Sequence, residues 1–447
     1  MSIKRNTALT LATQIAVIFL GMLNGIIVSR HLGPDLRGSF FMVITIKVFL
    51  LGLLDIGFSY ACTRWVAREQ SPLAVVHTNL LVYCALVTLL LFAIYIPLQG
   101  IVADHLLKNL DRRYILVGLL MVPFSLFYHG SCSEFVGLNR VPLLNLLNLV
   151  TTAADLAVVL GCFFVFGLGL DGLVAALLGA NVLYALAIHL LLRRQAPFQF
   201  QFDRAVFRDM LKFGSVLYVG NAAQRITSRL DMFFVSYLTG SQGVGFYSLA
   251  LNLAEMLRIF PDSVGAAAMP RIIGADEKES WSLASILGRM TTVVMALGAA
   301  CGVAIAAWAI PLLYGNEFVA AVWPFQIMVV GMIFSGLSMT SVSHYVVGNR
   351  GKPSFATYTG WLTLLFNIPV CFLLTKAHGF VGTAWATAST YLFAYVLQLA
   401  VVALLFRKPV MDLVLPRWSD LAIVKSEVRL ALNRWLVKKP PEIEMGE

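Results

Sequence analysis

A chain of 447 residues that is 59% hydrophobic and only 13% charged, with a mean hydropathy of +0.82, excludes a soluble globular fold and reads as a polytopic membrane protein. The six cysteines (Cys62, Cys84, Cys132, Cys162, Cys301 and Cys371) stand singly, nearly all in apolar runs, without the spacing of a metal site or a disulfide framework. The net charge of +10 belongs mostly to the connections between apolar runs and to the C-terminal tail, so it reads as a topology signal rather than as a nucleic-acid surface.

After Lys4 and Arg5, the run from about Leu9 to Val28 is long enough to span a bilayer and lacks a small-residue cleavage site, so it is expected to stay as the first span. Windows of about 20 apolar residues predict twelve transmembrane helices, near 8–29, 39–61, 75–97, 114–136, 142–166, 171–192, 211–237, 243–267, 285–308, 321–346, 355–375 and 380–405. Most of the 33 Lys and Arg fall in the N-terminus, the even-numbered connections and the C-terminus, which makes both termini cytoplasmic. The expected fold is an all-α polytopic membrane protein. It divides into an N-terminal six-helix lobe (1–192), a cytoplasmic linker (193–210), a C-terminal six-helix lobe (211–406) and a basic cytoplasmic tail (407–447).

In chain order, the first span ends in a Gly/Pro turn, Gly33-Pro34, with Gly38 after it. The pattern returns after the seventh span: Gly33 to Gly240 and Gly38 to Gly245 are both 207 apart, and Gly137–Gly348, Arg140–Arg350 and Gly172–Gly382 fall within four residues of that offset. Six spans per repeat give the halves the same membrane orientation, so the lobes are expected to be parallel repeats around a central cavity. The second span carries Lys47, too deep to snorkel comfortably and so expected to face the interior unless the span boundary is displaced, and Asp55, a helix-end partner for Arg64. The fourth span has a kink point at Pro123, then His129, read as an interior histidine, and Glu134. The fifth places Asn145, Asn148, Thr152 and Asp155 in one stripe.

The seventh span is the most informative. Asn221, Gln224, Arg225, Ser228, Arg229 and Asp231 fall within one arc of about 160°, opposite Ala222, Ile226, Leu230, Phe233 and Phe234. Two Arg and one Asp at about 3 kcal/mol each oppose lipid exposure by about 9 kcal/mol, so this face is expected either to line a wet cavity or to neutralise itself in a packed bundle. The eighth span adds Ser248, Glu255, Arg258 and Asp262, in which Glu255 and Arg258 serve equally as an intrahelical pair or as binding groups; Pro261 ends or kinks that helix. Residues Arg417 to Lys439 form an amphipathic pattern suited to an anionic membrane surface or to a partner.

The chain shows no P-loop, no metal-spaced cluster, no nucleophile elbow and no connection long enough for a catalytic domain, so it reads as a non-enzyme without cofactor or metal. Taken together, Leu32-Gly33-Pro34 with Gly38 and Phe40, Arg225 to Asp231 with Gly240, Gly245 and Tyr247, and Gly348-Asn349-Arg350 with Gly382 resemble the polysaccharide-biosynthesis (Wzx-like) oligosaccharide flippases of the MOP transporter superfamily, over residues 5–405. The resemblance implies translocation of an undecaprenyl-pyrophosphate-linked oligosaccharide across the bacterial cytoplasmic membrane by alternating access. It implies cavity residues Arg225, Arg229, Asn221, Lys47 and Arg258, with Asp231, Glu255, Asp155 and Asp55 as coupling or structural carboxylates. It also implies an H+ or Na+ coupling ion, and lipid-linked oligosaccharide, membrane lipids, a polysaccharide polymerase and a chain-length regulator as partners, with no nucleic acid. The alternatives are a multidrug exporter of the same superfamily, which also has twelve spans, and a membrane glycosyltransferase or polymerase; lipid II flippases differ in having fourteen spans.

Overall fold

The computed structural model describes residues 3–415 and 417, except 69–70, 108, 196–198 and 339–341, with side chains from residue 13 onward other than those of 106, 344 and 353. The amphipathic pattern at 417–439 lies outside the described residues except for Arg417, which pairs with Asp412. All regular structure among the described residues is helical. The first half of the chain contributes α1 (Ile3–Leu54), α2 (Phe58–Ala67), α3 (Leu73–Ile101), α4 (Arg112–Gly137), α5 (Val141–Leu160) and α6 (Leu170–Arg193). The second contributes α7 (Arg204–Glu255), α8 (Ile259–Gly274), α9 (Glu277–Tyr314), α10 (Val322–Leu337), α11 (Pro353–Phe406) and α12 (Met411–Val414). Among the described residues, eight helical segments are long and apolar enough to cross a membrane. A multi-pass membrane protein follows, because a helix satisfies every backbone polar group internally where no water is available.

A straight 52-residue helix such as α1 or α7 would run about 78 Å, more than twice the ~30 Å hydrocarbon core. Each is instead folded back at one glycine in the left-handed region: Gly33 (φ 68°) in α1, Gly240 (φ 75°) in α7 and Gly379 (φ 60°) in the 54-residue α11. Hydrogen bonds across the hinges prove the reversal. Arg37 reaches Ser29 at 2.8 Å, Tyr247 reaches Asp231, and Thr375 reaches Thr383 at 2.8 Å. Asp231 and Tyr247 would be about 24 Å apart along an unbroken helix. Gly33 and Gly240, the residues aligned by the sequence repeat, share nearly identical backbone angles, with ψ of −179° and −175°. Each of these three helices therefore supplies two antiparallel arms.

The hinged pairs α1 and α7 pack on each other, and small residues set the closeness. At the hinge end, a Cβ on Gly38 would lie 1.7 Å from the Ser241 carbonyl oxygen, and one on Gly245 would lie 2.0 Å from the Pro34 oxygen. At the opposite end, where the linker enters, a Cβ on Gly57 would meet the Gly214 oxygen at 2.3 Å. Between these points Phe49 and Phe233 meet at 4.9 Å between ring centroids, and Gly52 lies against Arg225. One apolar core surrounds the hinge-side seam, with Met42, Ile46, Met232, Val235, Tyr247 and Met328. Another fills the linker side, with Phe58, Leu80, Leu126, Phe135, Ile188 and Met210.

Two departures from the expected spans matter for the site. The span expected over 39–61 is interrupted after Leu54, where Ile56 (φ 42°) and Gly57 (φ 71°) turn the chain and the Asp55 carboxylate accepts the Ser59 N–H at the start of α2. The span expected over 243–267 narrows to a 3₁₀ turn at Met256–Arg258 before α8. Pro261 accounts for that, since it has no N–H for the carbonyl four residues back.

The seam predicts a contrast between glycines. Gly38→Ala forces backbone against backbone and is expected to destabilise the protein by about 1–3 kcal/mol. Gly21→Ala, whose Cβ meets nothing within 4 Å, is expected to leave the melting temperature in detergent unchanged or slightly raised. Equal melting temperatures for both variants would contradict the close approach.

Candidate functional site

The first arm of α7 is held between two glycine-bearing neighbours, and this placement decides which of its sides stays open. Gly52 of α1 lies against Arg225, while Gly360 of α11 lies against Ala223 and Trp361 donates to the Val219 carbonyl at 3.3 Å. Ala222 and Ala223 are buried, whereas Leu217, Asn221, Gln224 and Ser228 are exposed at spacings of four, three and four. That is one accessible polar stripe, flanked by the half-buried Arg225 and Arg229.

Each arginine meets a carboxylate from a different element. Arg225 Nη1 lies 3.8 Å from Asp55 Oδ2, so this pair joins the first half of the chain to the second. Arg229 Nη1 lies 3.3 Å from Glu255 Oε1 on the return arm of α7, the two side chains being 22% and 28% exposed. Lys47, half-buried on α1, interacts electrostatically with Asp155 of α5, whose Oδ1 accepts the Tyr184 hydroxyl at 2.8 Å. Pairing lowers the cost of burying charge near lipid, and partial exposure leaves the guanidiniums reachable. Arg258, within the 3₁₀ turn, is also half-buried.

Asp231 behaves differently from its neighbours on the arc. It is 4% exposed, accepts the Met232 N–H at 2.8 Å and receives the Tyr247 hydroxyl, which contacts Thr387 at 2.8 Å. The return arm beyond Gly240 covers it, and a helical-wheel argument on a single straight helix has no access to that arm. Asp55 likewise departs from the expected pairing with Arg64. Its Oδ1 accepts Ser59 Oγ at 2.6 Å and its Oδ2 faces Arg225, while Arg64 stacks over Phe213 at 4.4 Å. His129 is exposed and touches Ser59 Oγ through Nδ1 at 3.1 Å.

Sequence reasoning missed two further clusters. Arg37, 4% exposed, donates to Ser29 Oγ, the Gly245 carbonyl and Ser248 Oγ at 2.8, 2.6 and 2.6 Å, tying the hinge end of α1 to that of α7. Its position between Gly33 and Gly38 made it look like an ordinary loop charge. On the linker side, His77 joins Glu134 at 2.8 Å and His189 at 2.9 Å across α3, α4 and α6. The only signal for that trio was a titratable residue near one end of each of three apolar runs.

A family model described as "Polysaccharide biosynthesis protein" matches residues 3–274, which include the hinges at Gly33 and Gly240 and the pairs Arg225–Asp55 and Arg229–Glu255. The "Putative O-antigen transporter" of Shigella flexneri is 22% identical over 408 residues, covering 86% of this chain and 94% of that protein. Among solved structures, "Lipid II flippase MurJ, inward closed conformation" superposes with a TM-score of 0.77 at 13% identity, over 97% of this chain and 93% of that one. An inward-facing "multidrug resistance MATE family transporter of the MOP superfamily" gives a TM-score of 0.70 at 15% identity, over 88% and 96%. At these identities the two structures share the fold with this chain.

The pair across the seam predicts energetic coupling. Arg225→Ala strands the buried Asp55 carboxylate and is expected to lower stability more than Asp55→Asn with Arg225→Ala does. The interaction term of that double-mutant cycle is expected to be about 0.5–3 kcal/mol, read from melting in detergent. Strict additivity would show that the 3.8 Å approach carries no energy.

Proposed function

We propose, from the premise that the chain belongs to the polysaccharide biosynthesis protein family, that it translocates a lipid-pyrophosphate-linked oligosaccharide across the bacterial cytoplasmic membrane. The observation that carries the reading is that the family match and the O-antigen-transporter relative both extend over the α7 stripe, where two partly exposed guanidiniums stand beside exposed Asn221, Gln224 and Ser228. A lipid pyrophosphate brings about two negative charges into a low-dielectric region. Arg answers with permanent charge and forked donors that match phosphate oxygens in pairs.

In this reading, twelve spans form two six-helix lobes, 1–192 and 211–406, joined by the linker 193–210. Asn221, Arg225, Arg229, Lys47 and Arg258 face the cavity between them, and both termini are cytoplasmic. The two-armed helices α1, α7 and α11 support the count, and the common angles at Gly33 and Gly240 support the parallel repeat. The lobes rock about the α1–α7 seam, so that the hinge end and the linker end open in turn. Glu255 and Asp155 hold Arg229 and Lys47 in place until an anion competes for them, and a polymerase with its chain-length regulator receives the exported unit. The second reading, a drug exporter, is favoured by the MATE-like fold and by the carboxylates that accompany Arg225, Arg229 and Lys47.

Deleting the gene is expected to remove or shorten a surface glycan and to trap a complete lipid-linked repeat unit on the cytoplasmic leaflet, as read by mass analysis of the extracted lipid. A truncated repeat unit would indicate a transferase, and intact glycans with altered sensitivity to cationic compounds would indicate the exporter. Arg229→Ala is expected to abolish glycan export at unchanged protein level, and Arg229→Lys to restore part of it, because the charge remains and the fork is lost.

A further inference from the structure

The first half of the chain carries a groove that the transport reading leaves unused. It lies between α3, α4 and α6, has a volume of about 840 Å³, and is walled by Leu81, Leu89, Phe124, Phe127, Leu186 and His189. Thr88, the other polar side chain in the wall, gives its hydroxyl proton to the Cys84 carbonyl at 2.6 Å. From Leu81 to Leu89 the groove follows α3 for about 12 Å, close to the ~15 Å hydrocarbon depth of one leaflet. Leu89 and Leu186 are exposed, so its flank is open to the membrane. Its two ends differ. His189 stands at the end nearest the linker, where its Nδ1 meets His77 at 2.9 Å and His77 in turn meets Glu134 at 2.8 Å. One helical turn further, at the close of α6, Arg193 interacts electrostatically with His189, and both Arg193 and Arg194 are exposed. The far end, at Leu89 and Val182, has no charged wall residue. The linker passes over the charged end. Phe200 forms part of the wall, the Gln201 N–H donates to Thr78 Oγ1 at 3.1 Å, and Asn79 and Asp203 exchange two hydrogen bonds at 3.3 and 3.4 Å. The Asp203 carboxylate is occupied in capping α7, accepting the Ala205 and Val206 N–H groups at 2.8 and 3.0 Å.

We propose that this groove binds one anionic phospholipid, with an acyl chain lying between α3, α4 and α6 and the phosphate at Arg193 and Arg194, and that the bound lipid fastens the linker to α3. The wall supplies a slot for a single hydrocarbon chain, and the slot ends in two positive charges at the level where a head group begins. Phosphate oxygens accept the forked guanidinium donors, whereas a zwitterionic head brings a cation of its own to the same place. A groove of one leaflet's depth suits an acyl chain; a long polyprenyl chain overruns it. Phe200, 68% exposed, gains burial against the chain, and the hydrogen bonds of Gln201 and Asp203 to α3 hold the segment in register for that contact. Because this segment joins the two halves of the chain, a lipid that fastens it restricts how one half moves on the other. The inference goes beyond the transport reading and does not depend on what is carried.

The test needs no transported substrate. Full-length protein is stripped of lipid in detergent and titrated with phosphatidylglycerol or with phosphatidylcholine of the same acyl chains, and bound lipid is counted by native mass spectrometry. One phosphatidylglycerol per chain is expected, held about tenfold more tightly than phosphatidylcholine. Arg193→Gln combined with Arg194→Gln is expected to bring the two lipids within about twofold of each other. Leu186→Trp, at an exposed position, fills the groove and is expected to lose the bound molecule. Arg112→Gln, which removes an exposed arginine at the hinge end, is expected to keep the preference. In nanodiscs the backbone amides of 199–203 are expected to exchange severalfold more slowly in phosphatidylglycerol than in phosphatidylcholine, with no difference in Leu186→Trp. Equal retention of the two phospholipids, a Leu186→Trp protein that retains phosphatidylglycerol as wild type does, tighter binding of undecaprenyl phosphate than of phosphatidylglycerol, or linker amides that ignore the lipid each overturn the proposal. The failures are separable: a glycan lost on gene deletion with no lipid preference overturns the lipid site and leaves the flippase, whereas a selective lipid site with glycans independent of the gene does the reverse.

Discussion

Charge that must stay out of lipid is the constraint on which the rest of this molecule depends. Arg225 and Arg229 lie on a helix of membrane-spanning length, and each would cost about 3 kcal/mol if turned to hydrocarbon. The bundle answers by bringing a carboxylate from elsewhere in the chain to each: Asp55 across the seam and Glu255 from the return arm of α7 itself. Packing is arranged around those encounters. Gly52 leaves room for the Arg225 stem, Gly57 and Gly214 bring the linker ends together, and the chain breaks after Leu54 so that Asp55 turns into the interface.

The hinges serve the same end by different physics. One left-handed glycine in each of α1, α7 and α11 reverses a helix without a loop, so no backbone polar group needs loop solvation near the membrane. The reversal then creates contacts between residues distant in sequence. Tyr247 neutralises the environment of Asp231 by hydrogen bonding, and Arg37 finds a carbonyl and two hydroxyls rather than a carboxylate. The hinge end is therefore closed by neutral acceptors and small residues, while the linker end is closed by a true ion pair.

In the proposed transport of an anionic lipid, partial pairing of the arginines has a use. A site composed of permanently free cations would hold a pyrophosphate too well to release it, and a site of fully buried pairs would never admit it. Arg225 and Arg229, 27% and 22% exposed and each beside a carboxylate, stand between those limits. The fold is shared with a lipid II flippase and with a multidrug transporter at 13% and 15% identity, so it supplies the frame and not the identity of what is carried.

What the sequence determined by itself is whatever depends on local composition and period. The helical membrane class follows from hydropathy, and the accessible stripe of Asn221, Gln224 and Ser228 from a 3.6-residue period. The expected split of Asp55 toward Arg64 and the place of Asp231 on the open arc were not recoverable in that way. A wheel projection treats a helix as straight and alone, while Asp231 is covered by an arm that returns after Gly240, and Asp55 leaves the helix altogether at Ile56 and Gly57. The same limit hid Arg37 and the His77–Glu134–His189 cluster, whose members are separated by up to 112 residues and become neighbours only when α3, α4 and α6 pack. Tertiary structure alone decided the partners, because in a medium that cannot solvate charge a buried ion is defined by the group brought to it from elsewhere in the chain.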